Sequence, residues 1–400
     1  MSLLFYDDSP VFGGHEVMAL AGLEAVLRAT ADPVIFLASE ANAKLREKLA
    51  ALAETHPHLH VETLPWQSSK LEALRNRLKP SRIDDLAARF RDIAPDLVIA
   101  IQGNIEHSSL ALHAARKAGI PSTSYIPVPH SNHQMGAKLG RLRDLFCGPL
   151  FQLPDSFVTI TDEMARMLER RGATAPVHIV YNGIDTARFQ AGDPQAARRE
   201  LDLPADKTLL GVVGRTEFMQ KQQHLLVEAV AAEPALKQSC HLVFAGEGPD
   251  TPALRELLKS RAVAGTVLPW CDPAPLYRAL DALVIPSRYE GLPLVMLEAL
   301  ATGTSVFGSD RDGMKDLLPA ARRFDPASPT ALAKVLADWL REGKPGPGQG
   351  LTDRVRHEMS LPSFAAAFSS TLLDLAGKAR KSGKSDTSNV NFSVITSAES

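Results

Sequence analysis

The sequence predicts an α/β protein with two Rossmann-like domains, each built on a doubly wound parallel sheet, that face each other across a cleft. Short apolar runs of strand length alternate with longer segments of helical pattern along the chain. This series of strands restarts once, after a polar stretch broken by Gly and Pro at 182–207. The 400 residues are also more than one hydrophobic core usually organises.

Twelve apolar runs of strand length are expected to form the two sheets. Those of the first sheet are Leu3–Tyr6, Val34–Leu37, His60–Leu64, Leu97–Ile101, Ser122–Ile126, Phe157–Ile160 and His178–Tyr181. Those of the second sheet are Leu209–Val213, His241–Ala245, Thr266–Leu268, Ala282–Ile285 and Ser305–Phe307. A ligand is expected at the carboxyl ends of these strands, facing the cleft.

Segments of helical length separate the strands, as at Glu16–Arg28, Gln222–Ala232, Pro252–Lys259 and Pro293–Thr302. We expect a first domain at 1–185, a second at 186–350 that ends in the loop EGKPGPGQG, and a C-terminal helix at 351–376 that packs back on the first domain. Residues 377–400 are rich in Ser, Lys, Thr and Asn, and they are predicted to form a disordered tail.

Composition and simple motifs disfavour several functional classes for this protein. A net charge of −2 gives no general attraction to nucleic acid or anionic lipid. Three widely spaced cysteines suggest neither a disulfide framework nor a zinc ribbon. Neither a signal-peptide pattern nor an apolar run of about 18 residues is present, so we expect a cytoplasmic protein. No GxGxxG follows a strand, which disfavours an NAD-dependent dehydrogenase.

The segment YEGLPLVMLEALATG places two carboxylates around the start of a helix. The first-turn amides near Leu294 and Val295 lack intrahelical partners and are suited to phosphate. Glu290 precedes the helix and Glu298 lies about one and a half turns inside it. Carboxylates accept hydrogen bonds from hydroxyls, so this pattern fits a nucleotide-sugar. The alternative is a surface glutamate and a helix-face glutamate that are close by coincidence.

Two other loops follow predicted strands. Arg215 and Lys221 flank such a loop and are suited to neutralising a diphosphate, although solvated surface charges are the alternative. In FGGHE, Gly13 and Gly14 allow a ligand to approach the backbone closely, and a plain turn is the alternative.

Polar residues also follow strands of the first domain. His130 and His133 form an HxxH pair, but no further ligands cluster nearby in sequence, so we expect no metal there. A hydrogen bond from His130 to a sugar is preferred over a surface histidine. Asn104, Glu106 and His107 follow the fourth strand and are assigned to the acceptor side from that position alone.

GAKLGRLRDLF contains a local basic cluster of Lys138, Arg141 and Arg143. Such a cluster is commonly a solvated helix face. A weak peripheral contact with an anionic membrane, at its inner face, is the alternative.

Five pieces of this sequence, in this order and spacing, resemble the retaining GT-B glycosyltransferases of the family 4 type. They are FGGHE at 12–16, VYNGIDTARF at 180–189, VGRTEFMQK at 213–221, FAGEGPD at 244–250 and PSRYEGLPLVMLEALATGTSV at 286–306. The resemblance is densest over 180–330 and weaker in the first domain.

The resemblance implies a role for each matching residue. Arg215, Lys221 and the amides of Leu294 and Val295 would bind the donor diphosphate and stabilise it as the leaving group. Glu290 and His130 would contact the donor sugar, Glu298 the ribose, and Gly14 would allow close approach to the diphosphate. The chain departs from the family at Gln222, where glycine is usual, and in having Leu-Pro where Phe-Gly often follows the position of Glu290.

The resemblance further implies transfer of a hexose from a UDP-, GDP- or ADP-sugar with retention of anomeric configuration. We expect neither a metal nor a cofactor. The acceptor is a carbohydrate, a lipid or a small molecule. Two alternatives stay open: a nucleotide-sugar epimerase or isomerase of the same architecture, and a nucleotide-sugar-binding protein without turnover.

Overall fold

The computed structural model describes residues 1–387, with side chains through residue 381, and it contains two parallel sheets. The first sheet has the strand order β3-β2-β1-β4-β5-β6-β7, and the second has β10-β9-β8-β11-β12-β13. Both orders reverse direction beside a central strand, β1 in the first sheet and β8 in the second. Such a reversal creates a crevice at the carboxyl ends of the strands.

The twelve predicted strands are confirmed, with ends within two residues of those expected. The first sheet consists of β1 Leu3–Asp7, β2 Val34–Ser39, β3 Leu59–Leu64, β4 Leu97–Ile101, β5 Ser122–Tyr125, β6 Ser156–Thr159 and β7 Val177–Ile179. The second consists of β8 Thr208–Val213, β9 Cys240–Ala245, β10 Gly265–Leu268, β11 Ala282–Ile285, β12 Ser305–Ser309 and β13 Arg323–Phe324. The two-residue edge strand β13 was not predicted, because it is too short to show a pattern.

Helices connect the strands and cover both faces of the sheets. They are α1 Gly14–Ala29, α2 Ala43–Thr55, α3 Glu72–Leu78, α4 Pro80–Ile93, α5 Ser109–Ala118, α6 Gly140–Cys147, α7 Asp162–Arg170, α8 Pro194–Glu200, α9 Gln223–Ala232, α10 Pro234–Ser239, α11 Thr251–Ser260, α12 Pro273–Ala279, α13 Leu294–Thr302, α14 Gly313–Leu317, α15 Pro329–Arg341, α16 Gln349–Glu358 and α17 Leu361–Thr387. Every residue of β1, β2 and β4 is buried, as expected for strands with helices on both faces.

The C-terminal helix α17 returns to the first domain and packs against α1. A Cβ at Gly22 of α1 would come within 2.5 Å of the Phe368 ring, so the two helices approach closely there. α17 continues to Thr387, and the predicted disordered tail is therefore wrong for residues 377–387. The run KARK at 378–381 has high helix propensity and allows the helix to extend past residue 377. The remainder of the predicted tail, 388–400, lies outside the described residues.

Among residues 1–387, no helix is both long and apolar enough to cross a bilayer. The thiols of Cys147, Cys240 and Cys271 are free.

Candidate functional site

A cavity of about 360 Å³ lies between the two domains, at the carboxyl ends of the strands. We call it the Glu290 cavity. The first domain contributes residues that follow β1, β4, β5 and β6, and the second contributes the loop after β8 and the start of α13. The residues discussed below that line it are Gly14, His15, Tyr125, Asn182, Lys221, Glu290, Leu294 and Val295. Five of the residues predicted for the donor site are therefore brought to one cavity: Gly14, Lys221, Glu290, Leu294 and Val295.

The start of α13 presents free amides to this cavity. Pro293 is the N-cap, with φ −62° and ψ 121°, so Leu294 is the first helical residue and not the second as the sequence predicted. The amides of Leu294 and Val295 belong to the first turn, where the helix supplies no acceptor. Gly303, with a φ of 84°, ends the helix in the left-handed conformation.

Glu290 is buried, with 9% exposure, and Lys221 is its charged partner. The Lys221 Nζ lies 2.6 Å from Glu290 Oε1. The loop after Glu290 is pressed against the first domain, because a Cβ at Gly291 would come within 2.8 Å of the Pro127 carbonyl oxygen and of the Ile160 side chain. This close approach requires glycine, and it holds Glu290 at the domain boundary.

Asp312 links Glu290 to the first domain. One carboxylate oxygen accepts the Glu290 amide at 2.8 Å, and the other accepts His130 Nε2 at 2.9 Å. Asp312 has a φ of 55° and a ψ of −152°, a conformation that costs a non-glycine residue about 1–3 kcal/mol. We infer that the two hydrogen bonds of its carboxylate maintain this strained backbone.

The pairing with Asp312 determines the tautomer of His130. Because a carboxylate only accepts, the neutral ring carries its proton on Nε2, and Nδ1 is left as an acceptor. His130 is 3% exposed, and its Nδ1 has no hydrogen-bond partner among the described residues. His130 follows β5, as predicted, but it lines a second cavity next to the Glu290 cavity.

Three residues predicted for the donor site, Gly13, Arg215 and Glu298, do not line the Glu290 cavity. The Arg215 side chain is 59% exposed and pairs with Glu217 at 2.5 Å. Glu298 accepts a hydrogen bond from Tyr277 Oη at 2.7 Å, and burial raises its pKa despite that bond. Glu298 nevertheless shares the α13 face of Leu294, one turn further along the helix.

The residues assigned to the acceptor side have mainly local partners. Glu106 is buried, with one oxygen paired to Arg143 at 2.5 Å and the other accepting a backbone amide, so its carboxylate is already engaged inside the first domain. The Asn104 side chain accepts the amides of Glu106 and His107 and forms a turn. Arg143 therefore does not belong to an exposed basic cluster either, because helical periodicity turns it inward.

His15, which the sequence interpretation passed over, lines the Glu290 cavity. Its ring lies with the Asp7 and Glu16 carboxylates, and one ligand atom from each falls within 4.8 Å of the others. Burial raises the pKa of Asp7 to about 7, and the nearby Glu16 adds to that increase while His15 opposes it. Gly13 is the N-cap of α1, and its amide donates to Glu16 at 2.6 Å.

This group is the one set of side chains in residues 1–381 with the spacing to hold a metal ion. The HxxH pair is not such a set, since His130 is engaged by Asp312 and His133 is exposed. The available signal for His15 was its place in GGHE, directly after Gly14.

Asn182 is a second lining residue that was missed. It lies in VYNGIDTARF, which contributed to the resemblance without an assigned role. Its amide nitrogen donates to the Leu292 carbonyl at 3.1 Å, whereas its buried Oδ1 has no partner among the described residues. Asn182 thus ties the end of the first domain to the Glu290 loop and leaves an acceptor free in the cavity.

Two family models match this chain. The model described as Glycosyltransferase Family 4 matches residues 12–188, and the model described as Glycosyl transferases group 1 matches residues 207–342. The first match begins after β1 and contains β2 to β7, and the second match contains the whole second sheet. Together they include every residue of the Glu290 cavity named above.

Curated relatives match part of the chain. D-inositol 3-phosphate glycosyltransferase of Actinosynnema mirum is 32% identical over 240 residues, which are 54% of this chain and 57% of the relative. The protein of the same name from Geodermatophilus obscurus is 32% identical over 252 residues, 57% of this chain and 55% of the relative. The chain thus spans little more than half the length of these relatives.

Solved structures match over nearly the whole chain. Anabaena Alr3699/HepE in complex with UDP has a TM-score of 0.74 at 17% identity and covers 94% of this chain and 100% of its own. Sucrose-phosphate synthase from Thermosynechococcus elongatus has a TM-score of 0.71 at 18% identity, with the same coverage. At these identities the likeness concerns the fold, which is the two-domain GT-B arrangement predicted from the sequence.

The strand order, the cleft between the sheets and two family models in tandem lead to one assignment: this chain consists of a Glycosyltransferase Family 4 domain followed by a Glycosyl transferases group 1 domain.

Proposed function

We propose that this protein transfers a hexose from a nucleotide-sugar to an acceptor hydroxyl, with retention of the anomeric configuration. The observation that carries this proposal is the meeting of Lys221, Glu290 and the amides of Leu294 and Val295 in one cavity between the domains. Lys221 supplies a cation, and the amides supply hydrogen-bond donors, for a diphosphate. Glu290 supplies a hydrogen-bond acceptor for sugar hydroxyls in the same cavity.

The proposed donor lies along the start of α13. Its diphosphate contacts Lys221 and the free amides, and its sugar hydroxyls donate to Glu290. A UDP-sugar is the first choice of donor, because the structural neighbour Alr3699/HepE is described in complex with UDP-glucose. Glu298 lies one turn further along the helix face, which suits contact with the ribose of a bound nucleotide.

In the proposed reaction, the bond between the anomeric carbon and the diphosphate oxygen breaks as the acceptor hydroxyl forms its new bond on the same face. Negative charge grows on the departing diphosphate, and Lys221 and the helix amides are already placed to stabilise it. The hydroxyl proton passes to the leaving phosphate oxygen. Glu290 is not assigned as a covalent nucleophile, since its Oε1 is held by Lys221.

The first experiment is a thermal-shift panel with UDP-, GDP- and ADP-sugars, each with and without EDTA. Stabilisation by one nucleotide class that EDTA does not change is expected for a metal-independent donor site. A shift that EDTA abolishes would contradict metal independence and direct attention to Asp7, His15 and Glu16. No shift with any nucleotide, confirmed by calorimetry, would remove the support for a donor site.

We propose that Asp312 positions His130 and the Glu290 loop for this reaction. Asp312→Asn keeps the size of the side chain but removes the full negative charge opposite His130 Nε2, so turnover is expected to fall about 10- to 100-fold. Asp312→Gly should lower turnover similarly while relieving the strained backbone, and its melting temperature should stay near that of the wild type.

Steady-state kinetics and thermal melting of both variants test this role, with Asp310→Asn in the neighbouring exposed loop as the matched control. Among the side chains that the structure describes, Asp310 forms its ion pair with Arg323. Wild-type turnover in both Asp312 variants would contradict the positioning role.

The surface around α6 supports a peripheral membrane contact. Leu139, Leu142 and Leu145 are 64%, 47% and 73% exposed, and they follow one another at helical spacing beside exposed Lys138 and Arg141. Exposed leucines with flanking cations are suited to the interface of an anionic bilayer. This surface replaces the cluster predicted from sequence, which included the buried Arg143.

Co-sedimentation with vesicles tests this contact. Binding to vesicles that contain phosphatidylglycerol, and weaker binding to pure phosphatidylcholine, is expected. Leu142→Gln/Leu145→Gln should reduce the bound fraction several-fold, whereas Leu361→Gln, an exposed leucine on α17, should not. Equal binding of all three proteins would contradict the contact.

A further inference from the structure

A second cavity, of about 660 Å³, opens between the domains on the other side of the Glu290 loop. Its lining is rich in cations: Arg170, Arg288, Arg311 and Lys315, with His133 at the edge. We call it the Arg288 cavity. Its volume is within the range of small-molecule sites, and its wall combines side chains of both domains.

The carboxylates in this wall already have partners. Glu163 pairs with Arg170 at 2.7 Å, and both oxygens of Asp312 are used by His130 and the Glu290 amide. Within the part of the chain whose side chains are described, no carboxylate oxygen lies within 4.0 Å of the charged nitrogens of Arg288, Arg311 or Lys315. The cavity therefore carries a local excess of positive charge, although the net charge of the chain is −2.

Buried polar atoms in the same wall lack partners. The Nδ1 of His130 and the Nε of Arg311 are buried and make no hydrogen bond within the described residues. Buried polar groups of this kind are normally satisfied, so they indicate a polar ligand or ordered water. Because His130 is only 3% exposed, it is part of a built wall and not of a solvated surface.

The Arg288 cavity adjoins the proposed donor site. Tyr289 lines the Arg288 cavity, and the next residue, Glu290, lines the other. The rings of Tyr289 and His130 lie 5.7 Å apart in the wall of the Arg288 cavity. A ligand that contacts Tyr289 in the Arg288 cavity would thus touch the residue next to Glu290, whose carboxylate is assigned to the donor sugar.

We propose that the Arg288 cavity binds a phosphate monoester on the acceptor and orients an acceptor hydroxyl past His130 toward the donor sugar. This inference rests on the proposed transferase function and adds the charge class of its acceptor. Two guanidinium groups and an ammonium match a phosphate dianion, because Arg forms paired charge-assisted hydrogen bonds with phosphate oxygens. A neutral acceptor would leave three unpaired cations beside it.

The phosphate could belong to a soluble polyol phosphate or to a lipid headgroup, and binding experiments separate these sources. Calorimetry with saturating UDP, which occupies the donor site, would use inorganic phosphate, inositol monophosphate and unphosphorylated inositol as probes. Vesicles of phosphatidylcholine with and without phosphatidic acid form the lipid arm. The test variant is Arg288→Gln/Lys315→Gln.

The matched control is Arg261→Gln/Lys334→Gln, which removes the same two kinds of charge from surface pairs at the end of α11 and on α15. We expect the phosphorylated probes to bind the wild type and the control, and to bind the test variant about tenfold more weakly or worse. Unphosphorylated inositol should bind all three proteins more weakly than its phosphate. If only phosphatidic acid vesicles show dependence on Arg288 and Lys315, the phosphate belongs to a lipid.

Two results would overturn the inference: equal affinity of the phosphorylated probes for the wild type and the test variant, or no binding of any phosphate in either arm. If UDP still stabilises the protein in those cases, the proposed donor site stands and only the charged acceptor is wrong. Failure of every nucleotide to bind would instead refute the donor site, and the phosphate titrations would then be repeated in Lys221→Ala.

Discussion

Glu290→Gln is expected to lower turnover about 100-fold or more while the fold persists. The carboxylate accepts Lys221 Nζ at 2.6 Å and, in the proposed reaction, accepts hydroxyls of the donor sugar. An amide carries no charge, and only one of its two polar atoms can accept, so it matches neither partner fully. In Glu290→Gln, Lys221 loses its charged partner. Because 26% of its side chain is exposed, solvent can stabilise the ammonium, which limits the loss of folding stability.

Turnover of Glu290→Gln would be measured with the donor identified by the nucleotide panel, and folding would be followed by thermal melting. Glu228→Gln is the matched control, since it makes the same change in a surface pair with Arg261. Activity of Glu290→Gln within a few-fold of the wild type would refute its proposed contact with the sugar.

Lys221→Ala is expected to weaken donor binding and lower kcat/KM about 10- to 100-fold, whereas Arg215→Ala should change both by no more than a few-fold. The sequence assigns the same role to these two cations. The structure separates them, because Lys221 lines the Glu290 cavity and Arg215 is directed to solvent beside Glu217.

Calorimetric titration with the nucleotide and steady-state kinetics of both variants test this difference. Unchanged kinetics in Lys221→Ala would mean that the diphosphate lies elsewhere. Equal losses in the two variants would show that Arg215 reaches the diphosphate only in the donor complex, through closure of the domains.

Local pattern was enough to predict both sheets of this protein. The strands are buried apolar runs, and their period and length are visible without any contact information. The same holds for the start of α13, where the Glu290 loop, the first-turn amides and Lys221 follow strands of one sheet. Because parallel strands bring their carboxyl ends to one edge, the meeting of these groups in one cavity could be predicted from sequence order alone.

Tertiary packing decided which polar side chains remain available. The sequence assigned Glu106 to the acceptor side and Arg143 to a basic cluster, yet the two side chains neutralise each other in the interior. Their pairing joins a strand-end loop to a helix 37 residues further along the chain. No periodic pattern in the sequence indicates this pairing. Burial of one charge without the other would strongly destabilise the fold, because the remaining charge would be uncompensated.

The sequence by itself determined the two-domain fold and the grouping of the Glu290 loop with the start of α13, because those features depend on local periodicity and on residues near one another in the chain. Only the tertiary structure decided that Asp312 holds His130, since the contact spans 182 residues and two domains. It also decided that Arg288, Arg311 and Lys315 share a cavity with the first domain. The net charge of a cleft depends on the charged side chains that both domains contribute to it, and only the folded chain brings those side chains together.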